Sequence, residues 1–435
     1  MRRFFHPRGR FLYPLLLAAP FLIGVAVLEG LTVEIDTFHG SDARIYHLPT
    51  IEQFADRLDF ESYPAAQTPL YHLLFAGWGE LVGFELWRLR LLNVAISYGA
   101  VLVLFGLLRR RGLTAFQSFA LSLLLALSPY FFGASFTLLT DNLALLFGLL
   151  ALDRLDRFGE RARFSDLALA LLAMAAAVLT RQSYLWLALV AAFQLARTPL
   201  PARLRAAGAA AGALALAPMA ALVAAWGGLV PPSADPASCG LCTDRPGVGR
   251  DALTLRTVGF TVALFGLYAA AVFGPALARR GRVVAPSLRA LASSFRTLVL
   301  PVVAALALLA ISPLAYKPIE PGRAGDAGYL WKIADRFPEL FGTSLVFWLL
   351  VPLGAVALFV LARRAGPASL PVVYFASFLL AALPVGLVYQ KYFDPFALLA
   401  VALMAEPPDL RRPADYAGIA VAAVAFVAYA LSFAG

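Results

Sequence analysis

The chain has 435 residues, 61% of them hydrophobic and only 14% charged, with a mean hydropathy of +0.78. Soluble domains carry roughly a quarter charged residues, so a water-soluble fold is excluded. The formal net charge of +10 does not point to nucleic acid. Its arginines stand in short clusters between apolar runs, Arg109–Arg111, Arg279–Arg280–Arg282, Arg363–Arg364 and Arg411–Arg412, as membrane proteins place them in cytoplasmic loops.

Apolar runs of about 18 to 24 residues recur, the length that crosses a hydrocarbon core as a helix. Barrel strands are half as long and alternate. The expected architecture is therefore all-α and polytopic, with spans near 11–33, 91–108, 114–131, 136–152, 165–180, 183–197, 206–229, 255–278, 297–315, 343–362, 370–388, 393–405 and 415–434. That is about 13 transmembrane helices in one domain, 1–435. The first run follows Arg2, Arg3, Arg8 and Arg10 but is too long for a secretory signal and ends in no cleavage pattern. It is read as a retained first helix with its N-terminus inside.

An inside N-terminus assigns the arginine clusters to cytoplasmic loops and sends three long segments, 34–90, 231–254 and 316–342, outside. The first holds a helically spaced stretch, Leu70, Leu73, Leu74, Trp78, Leu81 and Val82, expected to lie along the membrane interface. Cys239 and Cys242 in the second segment are too few for a disulfide framework or a complete zinc site and imply at most one local bridge.

The outer face is where function is expected. Glu34, Asp36, His39, Asp42, Arg44, Tyr46, His47 and Pro49 crowd the stretch after the first helix. A carboxylate held there can take the proton of an attacking hydroxyl, or can be an ordinary solvated loop residue. Asp141, between two spans, is either functional at membrane depth or a helix cap. Arg181 and Gln182 interrupt an apolar stretch on the same side, and Lys391 lies at the outer end of another hairpin. A guanidinium suits a phosphate because it donates paired hydrogen bonds; the bland alternative for Arg181 is snorkelling to the interface. Neither a phosphate-cradling glycine loop nor a convincing metal site stands out.

Taken together, Tyr46-His47-Leu48-Pro49, Thr68-Pro69-Leu70-Tyr71, Thr140-Asp141 and Arg181-Gln182-Ser183 with Trp186 resemble the GT-C membrane glycosyltransferases. The likeness is to dolichyl-phosphate-glucose alpha-1,2-glucosyltransferases, in which an acidic pair precedes a similar His-x-Pro. Here that pair is replaced by Ala43-Arg44, leaving Asp42 one position early. Pro69-Leu70-Tyr71 and Arg88-Leu89-Arg90 are similar, more distantly, to bacterial proteins close to protein O-mannosyltransferases and lipid A aminoarabinose transferases.

The resemblance implies an inverting hexosyltransferase moving a sugar from a polyprenyl phosphate to a glycan, lipid or protein on the extracytoplasmic face. It makes Asp42 the expected base, with Asp36 and Asp141 as rivals. Arg181 and Lys391 would hold the phosphate, with Gln182, His47, Tyr46 and Tyr71 also against substrate. Some members of the class need a divalent metal and others do not, so no cofactor is assigned. Alanine, leucine and arginine richness with few lysines suggests a GC-rich bacterium, its inner membrane, and undecaprenyl phosphate as carrier. The competing class, a transporter or flippase of lipid-linked glycans, should show paired repeats of broken helices, and none is visible.

Overall fold

The computed structural model describes residues 9–27, 42–233, 254–283, 288–317, 326–383, 385 and 388–431. Of the expected features, Asp36 and both cysteines lie outside these residues. The chain is helical, with one two-residue hairpin, β1 (Glu339–Leu340) and β2 (Thr343–Ser344), among the described residues. It divides into two compact units that meet near residue 240.

The first unit comprises α1 (Gly9–Val27), α2 (Leu48–Asp56), α3 (Leu70–Val82), α4 (Leu86–Arg110), α5 (Ala115–Leu127), α6 (Pro129–Ser135), α7 (Asp141–Arg161), α8 (Phe164–Thr180), α9 (Trp186–Arg197) and α10 (Ala202–Trp226). The helix α7 packs against α4 on one side and α8 on the other, and α10 lies on α8. A π-helical turn, Ala43–His47, leads into α2, with the Leu48 N–H reaching back to the Ala43 carbonyl.

A bend of 70° separates α5 from α6. Pro129 starts the second helix, and Ser128 before it is pushed into extended backbone, ψ 126°. Two buried amides hold the segment beyond the bend. The Asn93 Nδ2 donates to the Ala134 and Thr137 carbonyls, each at 2.6 Å. The Asn142 Nδ2 donates to Ser97 Oγ at 2.8 Å and to the Phe131 carbonyl at 3.0 Å. Buried amides without such partners would cost about 1–3 kcal/mol each. The bend thus delivers Thr140 and Asp141 to the head of α7.

The second unit comprises α11 (Arg256–Val283), α12 (Leu288–Ile311), α13 (Tyr329–Ala334), the hairpin, α14 (Leu345–Ala365), α15 (Leu370–Ala382), α16 (Asp394–Met404) and α17 (Ala417–Leu431). Its centre is α11, against which α14, α16 and α17 pack. Glycines allow backbones to meet: a Cβ at Gly266 would come within 2.6 Å of the Leu350 carbonyl, and one at Gly354 would strike the Val262 carbonyl.

One expectation changes. Each expected span contains a helix, yet among the described residues only five helices are long and apolar enough to cross a bilayer, six if the bent α5–α6 pair counts as one span. Several others, such as Phe164–Thr180 and Leu370–Ala382, are apolar but shorter than 18 residues, so a count of 13 is not established. The helix α3 turns its aromatic side inward and leaves leucines of the expected apolar stretch uncovered by protein. Tyr71, His72, Phe75, Ala76 and Gly79 are buried, whereas Leu74 and Leu81 are exposed. It is apolar nearly all round, so the aromatic side, which stacks Tyr71 on Phe75 with centroids 4.2 Å apart, takes the interior.

Candidate functional site

At the head of α7, Asp141 stands in the first turn, where the helix dipole favours a carboxylate. Facing it is Arg181. There α8 ends because Arg181 adopts extended backbone, φ −156° and ψ 111°, and a short 3-10 turn, Gln182–Leu185, carries the chain into α9. The guanidinium Nη1 lies 2.8 Å from Asp141 Oδ2 and donates to Thr140 Oγ1 at 3.2 Å. Both side chains are mostly but not wholly covered, 15% exposed for Arg181 and 25% for Asp141.

The other two sequence motifs lie around this pair. The Gln182 Nε2 donates to the Ala66 carbonyl at 2.8 Å, and the Thr68 hydroxyl donates to the Val178 carbonyl at 2.8 Å. These two bonds fasten the Thr68-Pro69-Leu70-Tyr71 segment to the end of α8. Tyr71 is completely buried, its hydroxyl making no hydrogen bond. Burial first, and the Asp141 charge second, push its phenol well above the ordinary value, so it stays protonated as a donor beside the carboxylate. His47 lies edge-on to Tyr71, centroids 6.0 Å apart, and its Nδ1 is 2.9 Å from His72 Nε2. Gln182 Oε1 and His72 Nδ1 are further buried polar atoms without a partner.

Of the residues expected from sequence, the structure brings His47, Tyr71, Asp141, Arg181 and Gln182 into one neighbourhood. Asp42 immediately precedes the π turn and is partly buried. Tyr46 is partly buried and packs on the hydrophobic cluster that includes Ile51, Phe54, Tyr63 and Tyr71. Lys391 belongs to the second unit, where its ammonium sits 5.1 Å from the centre of the Tyr392 ring. Among the described residues no three His, Cys, Asp or Glu side chains converge on a point.

Sequence reasoning passed over two groups. His72 is fully buried; its signal was a histidine inside an apolar helix. In the second unit the buried Asp394 accepts hydrogen bonds from Tyr268 at 2.5 Å, Gln390 at 2.9 Å and Tyr329 at 3.1 Å. Its signal was a carboxylate within an apolar stretch. Nearby, Arg256 pairs bidentately with buried Asp326 and lies 5.0 Å from the centre of the Trp331 ring.

Residues 66–226 match the family model described as dolichyl-phosphate-mannose-protein mannosyltransferase. Over that segment the chain is similar to the GT-C membrane glycosyltransferases. The match spans the Tyr71, Asp141 and Arg181 motifs and supports the class without singling out the glucosyltransferase branch. No curated protein matches the chain. Two solved structures of ArnT from Cupriavidus metallidurans are similar at 15% identity over 90% of this chain. One, in the apo state, has a TM-score of 0.39 with 76% of its chain covered. The other, bound to undecaprenyl phosphate, has a TM-score of 0.42 with 77% covered.

Proposed function

We propose that the protein is an inverting GT-C glycosyltransferase that moves a sugar from a polyprenyl phosphate to an acceptor hydroxyl on the extracytoplasmic face of a bacterial inner membrane. The observation that carries this is the Arg181–Asp141 pair at 2.8 Å, set beside Tyr71 by Gln182 and Thr68. One locus then combines a cation for a phosphate, a carboxylate that orients it, and neutral donors for a sugar. The family match over residues 66–226 supports the same class.

In the reaction, the acceptor O–H gives its proton to a carboxylate while its oxygen forms the new bond to the anomeric carbon. The bond from that carbon to the phosphate oxygen breaks, and the phosphate leaves with the electron pair on the opposite face, inverting the centre. Asp42 is the proposed base, with Asp36 and Asp141 as rivals. Asp141 is the weaker rival, because its Arg181 contact favours a positioning role. Arg181 is proposed to meet the phosphate, where neutralising the charge that builds on the leaving group lowers the barrier. Tyr46, Tyr71, His47 and Gln182 are proposed to contact the sugar or its phosphate.

The test is sugar release from a panel of radiolabelled polyprenyl-phosphate sugars by purified protein in nanodiscs, comparing the native chain with Asp42→Asn. Turnover of one donor, lost in the variant while donor binding persists, is expected. Turnover that survives moves the base to Asp36 or Asp141. No turnover with any donor and acceptor overturns the assignment in favour of a lipid-linked glycan transporter.

A further inference from the structure

Between α13 and α14 the chain folds back as a tight hairpin. Glu339 pairs with Ser344 and Leu340 with Thr343, so Phe341 and Gly342 alone close the turn. Both have positive φ, +50° and +70°, the pattern of a type I′ turn, whose first central position favours Asn, Asp or Gly. A bulky residue is strained there, yet this one is a phenylalanine with 81% of its surface exposed. Its ring is too little covered for packing against the protein to offset the strain. Phe337 and Leu340, in the same short segment, are also about half exposed, 50% and 48%.

The hairpin is firmly held. Thr343 and Ser344 are buried. The Leu314 N–H donates to Thr343 Oγ1 at 2.9 Å, and the Ser344 hydroxyl donates to the Ala334 carbonyl at 2.8 Å. The Trp348 indole N–H donates to the Leu340 carbonyl at 3.0 Å. Trp348 belongs to α14, a helix long and apolar enough to cross a bilayer, on which Leu345, Leu349 and Leu353 recur every fourth residue as an exposed stripe. Because Trp348 stands beside Leu345 and Leu349 on that helix, its bond to Leu340 makes the uncovered hairpin continue the side that α14 turns to lipid. Exposed Arg336 and Glu339 flank the apolar residues and suit the headgroup layer rather than the hydrocarbon core.

We propose that the Phe341–Gly342 turn, with Phe337 and Leu340, is a membrane anchor that docks into the lipid interface at the N-terminal end of α14. The strained phenylalanine is then accounted for by the lipid it meets, since an uncovered apolar tip gains burial there. The proposal requires that α14 spans the bilayer; it does not require that the protein transfers a sugar.

The test uses the full chain with Cys239 and Cys242 replaced by serine, in phosphatidylcholine nanodiscs. A nitroxide on Phe341→Cys is expected to collide more with oxygen, which concentrates in lipid, than with a water-soluble nickel complex. A nitroxide on Glu61→Cys, exposed in the first unit, is expected to show the reverse. A label at position 341 that behaves like the one at 61 overturns the anchor. A second measurement keeps the native phenylalanine: with the label on Glu339→Cys, Phe341→Asn is expected to shift collisions from oxygen towards nickel. Asparagine suits the turn, so the hairpin is retained while its apolar tip is lost. A label at 339 that does not respond to this change overturns the proposal. Protection of position 341 from both reagents, in detergent as well as in nanodiscs, also overturns it and points to a protein contact such as a second copy of the chain. If Phe341→Asn does not fold, the label at 341 decides.

Discussion

On the proposed roles, Asp42 as base and Arg181 as phosphate ligand would each leave a different kinetic signature. A positioned base contributes roughly 10²–10⁴-fold. Asp42→Asn is therefore expected to lower kcat within that range while leaving donor affinity, measured by equilibrium binding of a labelled lipid-phosphate sugar, nearly unchanged. Arg181→Lys keeps the charge but loses the planar fork that Asp141 and Thr140 now orient. Its expected effect is the opposite split, a donor KM raised about tenfold with a smaller loss in kcat. His72 adds a stability signature. Burial, and then the neighbouring His47, hold its folded form well below the ordinary imidazole range, whereas in the unfolded chain it titrates near 6.5. Below that pH the unfolded state binds more protons, so stability falls as pH falls, by up to about 1.4 kcal/mol per unit. Unfolding midpoints in detergent are expected to drop between pH 7.5 and 5, and His72→Gln to flatten that slope. Asp141 and Arg181 were legible in the sequence as charges that interrupt apolar runs, because such residues are few, although Asp394 was passed over. Their partners were not: Arg181 meets Asp141 across 40 positions, and no local pattern encodes that pairing.

Elements were legible where the apolar period is long and unbroken, as in α4, α11 and α14, and poorly legible where the chain turns back within the bundle. The bend at Ser128–Pro129 arises from a single residue and from packing, so hydropathy shows only continuous apolar sequence there, whereas the break at Arg181 between α8 and α9 was visible as a charge between the expected spans 165–180 and 183–197. On α3, Tyr71, His72 and Phe75 take the interior and leave Leu74 and Leu81 exposed. The second unit supplies a test at this scale. Because α11 and α14 touch backbone to backbone at Gly266 and Gly354, Gly354→Ala inserts a methyl group where the Val262 carbonyl stands. An overpacked contact costs typically about 1–3 kcal/mol, and here backbone rather than a flexible side chain must yield. A loss of that size in thermal or denaturant unfolding in detergent is expected. Gly366→Ala at the end of α14 meets no neighbouring atom, although its φ of +87° strains it, which separates steric from conformational cost.

Across the whole molecule the arginine clusters that gave the chain its positive charge are tied to acidic partners. Arg110 and Arg111 bond Asp153 and Asp156 in the first unit, and Arg364 bonds Asp409 and Glu406 in the second. Such pairs cost several kcal/mol to break when poorly hydrated, yet they leave the positive-inside argument intact, since that rule counts lysine and arginine rather than net charge. The helix α4 separates Arg110 from the Tyr71 end of its unit by 25 residues, about 37 Å of helix. If the cluster end is cytoplasmic, the proposed site opens outside. With Cys239 and Cys242 replaced by serine, Gly112→Cys beside the cluster and Glu61→Cys in the segment before α3 report the two ends; both positions are exposed. An impermeant maleimide on intact cells is expected to label Glu61→Cys at once and Gly112→Cys only after the membrane is opened. The reverse pattern would place the site in the cytoplasm, where a lipid-phosphate sugar would have to be met before it is flipped, and labelling of both from outside would remove α4 from the spans.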